Sequence, residues 1–297
     1  MQRHFSSLIE MTKIIPNEEK AIEYFRAVRW ARGAFCPFCG SVKVYDFADK
    51  RSHKCGDCRK RFSIKVGTVM EGTKIGVREW LMAMWMVTSH KKGIASTQLA
   101  KDLGVTQKTA WFMLHRLRHA ARTRSFNRPL EGIVEVDEAF MGGKDKNKHA
   151  DKRGLQKKSI VLGMLERGGE LRTLILRHLG EAAPTVREHV FTGSAVITDE
   201  FTGYARFSDE YLHLSVNHSA GEYGRGRIHT NSIEGYWSQL KRQIYGIHHW
   251  VSAKHLFRYA DENAWRFNRR SVAEAVRLDE FIARLDGRLT YKALIAN

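Results

Sequence analysis

A chain of 297 residues, 43% hydrophobic and 28% charged, holds enough apolar material for one large domain or two to three small ones, which excludes a disordered or collagen-like polymer. The net charge of +18 is unevenly spread: residues 1–130 hold 25 Lys and Arg against 10 Asp and Glu, while residues 131–297 come to only +3. A basic front end of this kind points to a phosphate-rich partner.

In chain order, no signal-like apolar run opens the sequence, and the longest apolar stretch, the eight residues Trp80–Val87, is too short to span a bilayer. Ala21, Tyr24, Phe25 and Val28 recur at helical spacing after Asn17, which predicts a capped amphipathic helix over 17–30. All four cysteines follow, as CPFCG at Cys36–Gly40 and CGDC at Cys55–Cys58, with fifteen residues between the pairs. Each pair forms a tight turn that aims two thiolates at one tetrahedral ion, so Cys36, Cys39, Cys55 and Cys58 are the expected Zn²⁺ ligands. So few cysteines in so long a chain exclude a disulfide scaffold and fit a reducing cytoplasm. Val42, Val44 and Tyr45, then Phe62 and Ile64, read as the strands of a small zinc ribbon.

From Gly76 the pattern turns helical, with Trp80, Met84 and Val87 on a buried face. Ser96–Arg118 reads as a helix-turn-helix: Leu99 and Leu103 share a face, Gly104 turns the chain, Thr106 caps, and Ala110, Leu114 and Leu117 continue the apolar side. Its second helix would present Gln107, Lys108 and Trp111 outward to DNA, with Lys101, His115, Arg116 and Arg118 available for phosphates or solvent. The polar, basic stretch 122–129 reads as a linker.

Beyond it, strands are expected at Gly132–Val136, Ser159–Leu165, Leu171–Leu176, Ala195–Thr198 and Leu212–Val216, and a helix at Pro184–Phe191. Ser232–Ile244 forms a further helix with Ile233, Trp237, Leu240 and Ile244 on one side, and Val272–Leu285 a last, packing helix. Three successive strands and then alternation give a mixed sheet covered by helices. Asp137 is expected at the end of the first strand, Asp199 at the end of the fourth, and Glu234 in the first turn of the long helix. The separations are 62 and 35 residues, and Lys241 lies seven after Glu234. Carboxylates brought together in this way bind hard divalent cations such as Mg²⁺. Glu138 and Glu200 are one-residue alternatives that a strand would turn to its other face, and Glu135 shares a face with Asp137 as a candidate fourth acid.

Taken together, CPFCG…CGDC, ASTQLAKDLGVTQKTAW, VDEAFMGGK, TDEFTGY and HTNSIEGYWSQLKRQIYGIHHWVSAKHL make the chain, over residues 15–270, resemble bacterial insertion-sequence transposases of the ISXO2-like group. The resemblance implies a ribonuclease-H-like catalytic domain with an Asp-Asp-Glu triad and Mg²⁺ or Mn²⁺ as cofactor. Carried over, Asp137, Asp199 and Glu234 are the three acids and metal ligands, and Lys241 is the basic residue after them. Some members are described with Asn at the third position, which makes Asn231 the alternative; Glu234 keeps both the 35-residue gap and the step to Lys241. Lys144 and Lys146 in the basic loop after Asp137, Arg225 and Arg227 before the helix, and Lys241 are expected DNA contacts, with His229, His248, His249 and Trp250 as weaker candidates.

The expected fold is multidomain, α+β and α/β. It comprises an N-terminal helix and zinc ribbon over 1–75, a helix-turn-helix region over 76–128, a ribonuclease-H-like mixed five-stranded sheet flanked by helices over 129–270, and a helical tail over 271–297. The partners implied are double-stranded DNA, as element ends and target, and at least one further copy of the chain, with no membrane and a place at the bacterial nucleoid in the cytoplasm. The rivals are a non-enzymatic DNA-binding regulator, which has no need of the acids, and a structure-specific nuclease of the same fold, which would cut without joining.

Overall fold

The computed structural model describes residues 5–122, 128–142, 158–199, 202–204, 206–216 and 226–296. Capping side chains open the first helices. Ser7 Oγ accepts the amide of Glu10 at the start of α1 (Leu8–Ile14), a helix that the sequence reading does not place, and Asn17 Oδ1 accepts that of Lys20 at the start of α2 (Glu18–Arg29), the helix that the spacing predicts. An antiparallel meander follows, β1 (Val44–Asp46), β2 (Ser52–Cys55) and β3 (Arg61–Ser63). Val42 lies outside it and is exposed, whereas Ile64 just past β3 is buried.

In α3 (Val77–Ser89) the expected Trp80, Met84 and Val87 are all buried. Next, α4 (Ser96–Leu103) ends on Gly104 in the left-handed region, at φ 65°, a conformation that glycine adopts without a Cβ clash. Thr106 Oγ1 then accepts the Thr109 amide at 3.2 Å and opens α5 (Gln107–Ala121), which completes the helix-turn-helix. One expectation is overturned here. His115, Arg116 and Arg118 are buried rather than open to phosphates, because α5 is covered on more than the side its leucines mark. Arg116 donates to the carbonyls of Val69 and Glu71, each at 3.0 Å.

The following strands and helices are β4 (Ile133–Met141), β5 (Ser159–Glu166), β6 (Leu171–Leu176), α6 (Ala182–His189), β7 (Ala195–Thr198), β8 (Leu212–Ser215), α7 (Asn231–Lys241) and α8 (Ala253–Asn268). The chain then forms α9 (Glu274–Ile282) and α10 (Tyr291–Ile295). The large sheet has the order β6-β5-β4-β7-β8, with β4, β5 and β6 antiparallel and β4, β7 and β8 parallel. This is a ribonuclease-H-like sheet. Alternation along β4 sends Val134 and Val136 into a core with Val186 of α6, Tyr204 and Phe207, and sends Ala139 and Met141 into a core with Ile233, Trp237 and Leu240 of α7 and Leu256 of α8.

Asp137 does not end its strand. The antiparallel pairing of β4 with β5 runs on to Met141, whereas the parallel pairing with β7 stops at Glu135↔Ile197. From Asp137 onward, among the described residues, β4 therefore has a strand partner on its β5 edge only.

The chain divides into two compact units. The first joins Met1–Ala121 with Ser271–Asn297, and the second is Arg122–Arg270. In the first, α9 packs on α2 and α3; Tyr24 donates to Asp279 Oδ1 at 2.5 Å, and Arg277 donates to the Thr88 carbonyl at 2.9 Å. Among the described residues, no helix is long and apolar enough to cross a membrane.

Candidate active site and metal centre

In the first unit the two Cys-x-x-Cys turns close on one another. Cys36 and Cys58 Sγ are 3.7 Å apart, Cys39 and Cys55 Sγ 3.6 Å, and all four sulfurs lie within 4.8 Å of one another. A tetrahedral ion with zinc–sulfur bonds of about 2.3 Å would space its ligands about 3.8 Å apart, so the cluster fits Zn²⁺. The amides of Phe38 and Cys58 each point at a cysteine sulfur, those of Cys36 and Cys55, at 3.4 Å. The other functional residues expected of this unit lie on the helix-turn-helix. Gln107 and Lys108 are exposed, Gln107 donating to Ser96 Oγ at 2.9 Å, while Trp111 is half-buried edge-on to His115.

In the second unit, where β4 loses its β7 edge, a cavity of about 410 Å³ opens. It is lined by Asp137, Glu138, Asp199, Glu234, Trp237, Ser238 and Lys241. Asp199 directly follows the last residue of β7, so the cavity lies at the carboxyl end of parallel strands, where ligands of open α/β sheets commonly bind. A wider hollow of about 530 Å³ beside the ribbon, lined by Glu18, Arg51, Lys65, Lys74 and Glu79 among others, mixes both charge signs and gathers no ligand set. The acidic cavity is the chemically distinctive one.

Asp137 is held from two sides: Trp237 Nε1 donates to its Oδ2, and the Glu138 amide to its Oδ1, both at 2.8 Å. The indole can reach it because Gly163, the residue paired with Asp137 on β5, has no side chain; a Cβ there would stand 2.7 Å from the Trp237 ring. Glu138 points to the opposite face, as strand geometry requires, and accepts a hydrogen bond from the Tyr204 hydroxyl. It lines the cavity all the same, because the cavity wraps around the open edge of β4. Burial, reinforced by the charges of Asp199 and Glu234, pushes the Asp137 carboxyl up to about 6. Burial together with Asp137 and Asp199 pushes Glu138 up to about 7. A divalent cation among these carboxyls would supply the opposite charge that relieves their mutual repulsion. Among the described residues, only the cysteines form a group of three or more side chains with every ligand atom in reach of one ion; the acids stand further apart around their cavity.

Of the other expected residues, Asn231 is exposed at the first position of α7 and is not part of the cavity lining. His229 bonds to Arg167 at 3.0 Å, His248 stacks edge-on against Tyr259, and Trp250 is exposed. Arg227 is exposed. Lys144, Lys146, Arg225 and Glu200 lie outside the described residues. Sequence reasoning missed the parts of Trp237, Tyr204 and Ser238. Trp237 lies three residues after Glu234 and so on the same side of the helix, a spacing that marks it as a neighbour of the acids as well as a core residue.

The description "ISXO2-like transposase domain" matches residues 129–268, and "Transposase zinc-ribbon domain" matches residues 16–61. A protein in transposable element ISH50 of Halobacterium salinarum is 28% identical over 272 residues, which cover 83% of this chain and 90% of that protein. Chains in the crystal structures of a pre-cleavage Mos1 transpososome and of the Mos1 Strand Transfer Complex are each 11% identical and cover 71% of this chain, with 80% and 79% of their own lengths covered and TM-scores of 0.24 and 0.26. An acid-lined cavity in the second unit and a four-cysteine ribbon in the first thus fall within the two matched stretches, so residues 129–268 are similar to an ISXO2-like transposase domain and residues 16–61 to a transposase zinc ribbon.

Proposed function

We propose that this chain is a transposase that binds the inverted ends of an insertion sequence, cleaves a DNA strand at each end and transfers the freed 3′-hydroxyl into target DNA. The observation that carries the reading is the cavity in which Asp137, Asp199 and Glu234, far apart in sequence, meet with Lys241 at the rim. These three carboxylates would hold Mg²⁺ or Mn²⁺, which supplies Lewis acidity at the scissile phosphorus and lowers the cost of forming the attacking oxyanion. Trp237 fixes the orientation of Asp137, Thr230 donates to Glu234 Oε1 at 2.8 Å, and Lys241 offers a charge to a DNA phosphate. Water attack at the element end and hydroxyl attack on the target are the same in-line displacement at phosphorus, so one site serves both. End recognition falls to the ribbon and to Gln107, Lys108 and Trp111, with Lys144, Lys146, Arg225 and Arg227 on the DNA backbone, and holding two ends together calls for a second copy of the chain.

The test is a labelled duplex carrying the DNA that flanks the gene, incubated with Mg²⁺ or Mn²⁺ and wild type or Asp199→Ala. Metal-dependent 3′-end cutting and joining by wild type alone is the expected result. Cutting without joining would favour a structure-specific nuclease, and binding with no cutting under either metal would leave a regulator.

A further inference from the structure

Two residues before Asp137, β4 carries an acid that lies outside the cavity. Glu135 is fully buried on the α7 side of the sheet, and both of its carboxylate oxygens are engaged. Oε2 accepts the amide of Ile233, in the first turn of α7, at 3.0 Å, and Oε1 accepts Arg167 Nε at 2.6 Å. Arg167 stands in the turn after β5, its own amide bonded to the Ile133 carbonyl at 2.9 Å. Its remaining donors reach the segment leading into α7: Nη1 the carbonyl of Arg227 at 2.5 Å, and Nη2 the carbonyl of His229 at 2.7 Å and its Nδ1 at 3.0 Å. A single guanidinium thus ties β4, the β5–β6 turn and the approach to α7 together.

The start of α7 needs such a tie. Its N-cap residue, Thr230, makes no capping bond to the helix amides; its hydroxyl donates to Glu234 instead, so the cap comes from Glu135 on the neighbouring strand. A buried carboxylate is costly unless paired, and Arg is the side chain whose planar fork can meet a carboxylate and several carbonyls at once. The geometry points to Glu135 and Arg167 as positioning residues, a buried latch that fixes the first turn of α7 and thereby sets the Glu234 carboxylate across the cavity from Asp137. This inference rests on the reading of Glu234 as a metal ligand.

Arg167→Lys tests it, because an ammonium keeps the charge beside Glu135 and cannot span the carbonyls of Arg227 and His229. The full-length protein, with its ribbon zinc in place, is titrated with Mn²⁺ by electron paramagnetic resonance in the absence of DNA, alongside wild type and Asp199→Ala. Amide hydrogen exchange is followed in the same samples. Arg167→Lys is expected to weaken Mn²⁺ binding by about tenfold or more, the usual range for a residue that orients a metal ligand. It should also speed exchange at residues 227–236, with the ribbon, α3 and the zinc content unchanged. Wild-type Mn²⁺ affinity in the folded variant overturns the latch, and so does faster exchange throughout the protein without a selective loss of Mn²⁺. If Arg167→Lys does not fold, Glu135→Gln, which keeps an acceptor for the Ile233 amide, decides by the same two readouts. Absence of Asp199-dependent Mn²⁺ binding in wild type would count against the functional reading, and the exchange pattern would still judge the latch.

Discussion

Asp137 sits among like charges, and its titration should be visible in the stability of the protein. Its carboxyl is held at about 6, against an ordinary value of 3.8, by burial and then by Asp199 and Glu234. A group that binds its proton more tightly when folded stabilises the fold below its unfolded pKa, and that contribution disappears as pH rises through the folded value. Without added divalent metal, the melting temperature should therefore fall between about pH 4 and pH 7, with up to about 3 kcal/mol at stake from this one group. Calorimetric melting of wild type and Asp137→Asn across that window checks it: the variant should lose less, and Mn²⁺ should flatten the wild-type curve. Gly163 makes a second, steric prediction. A Cβ 2.7 Å from Trp237 and 2.9 Å from Ile233 forces the indole away from Asp137. Gly163→Ala should cost about 1–3 kcal/mol in a denaturant titration and lower strand cleavage while DNA binding persists.

Elements whose signals are local were legible in the sequence. The cysteine spacing announced the ribbon, Asn17 and Thr106 announced helix starts, and Gly104 announced the turn between α4 and α5. The ribbon has few apolar residues of its own beyond Phe62 and its flanking contacts, so its fold should depend on the metal. Cys36→Ser is expected to abolish zinc retention by mass spectrometry under native conditions and to weaken binding to element ends, with Mn²⁺ binding in the second unit kept. What the sequence did not disclose depends on contacts between distant segments. Arg116 looks like a surface cation until the chain at 69–71 is known to receive its guanidinium, and Arg118 is buried as well. The stopping point of the β4–β7 pairing, which lets Asp137 and Glu138 border one cavity from opposite faces, is set by register and leaves no mark in the composition of either strand. Glu135 and Arg167 are 32 residues apart, and nothing short of the hairpin's geometry joins them.

For the chain as a whole, the sequence reading made 271–297 a tail behind the catalytic domain, and the structure groups it with the first unit. Phe281, Leu278 and Ile282 of α9 are buried, and the helix packs on α2 and α3. Deleting Ser271–Asn297 should accordingly lower the melting temperature of the ribbon and helix-turn-helix unit and its binding to element ends, while Arg122–Arg270 keeps its Mn²⁺ site. Separate melting transitions in calorimetry, read with and without Mn²⁺, would assign the loss to one unit or the other.

The discontinuity of the first unit also has a consequence in time. A ribosome that has made Met1–Ala121 must add the entire second unit, at about 5–20 residues per second, before Ser271–Asn297 exists. The unit begun first is the last that can be completed. A chain released early therefore carries the acid-lined cavity beside an unfinished first unit, and only a chain read through to α9 holds both units complete.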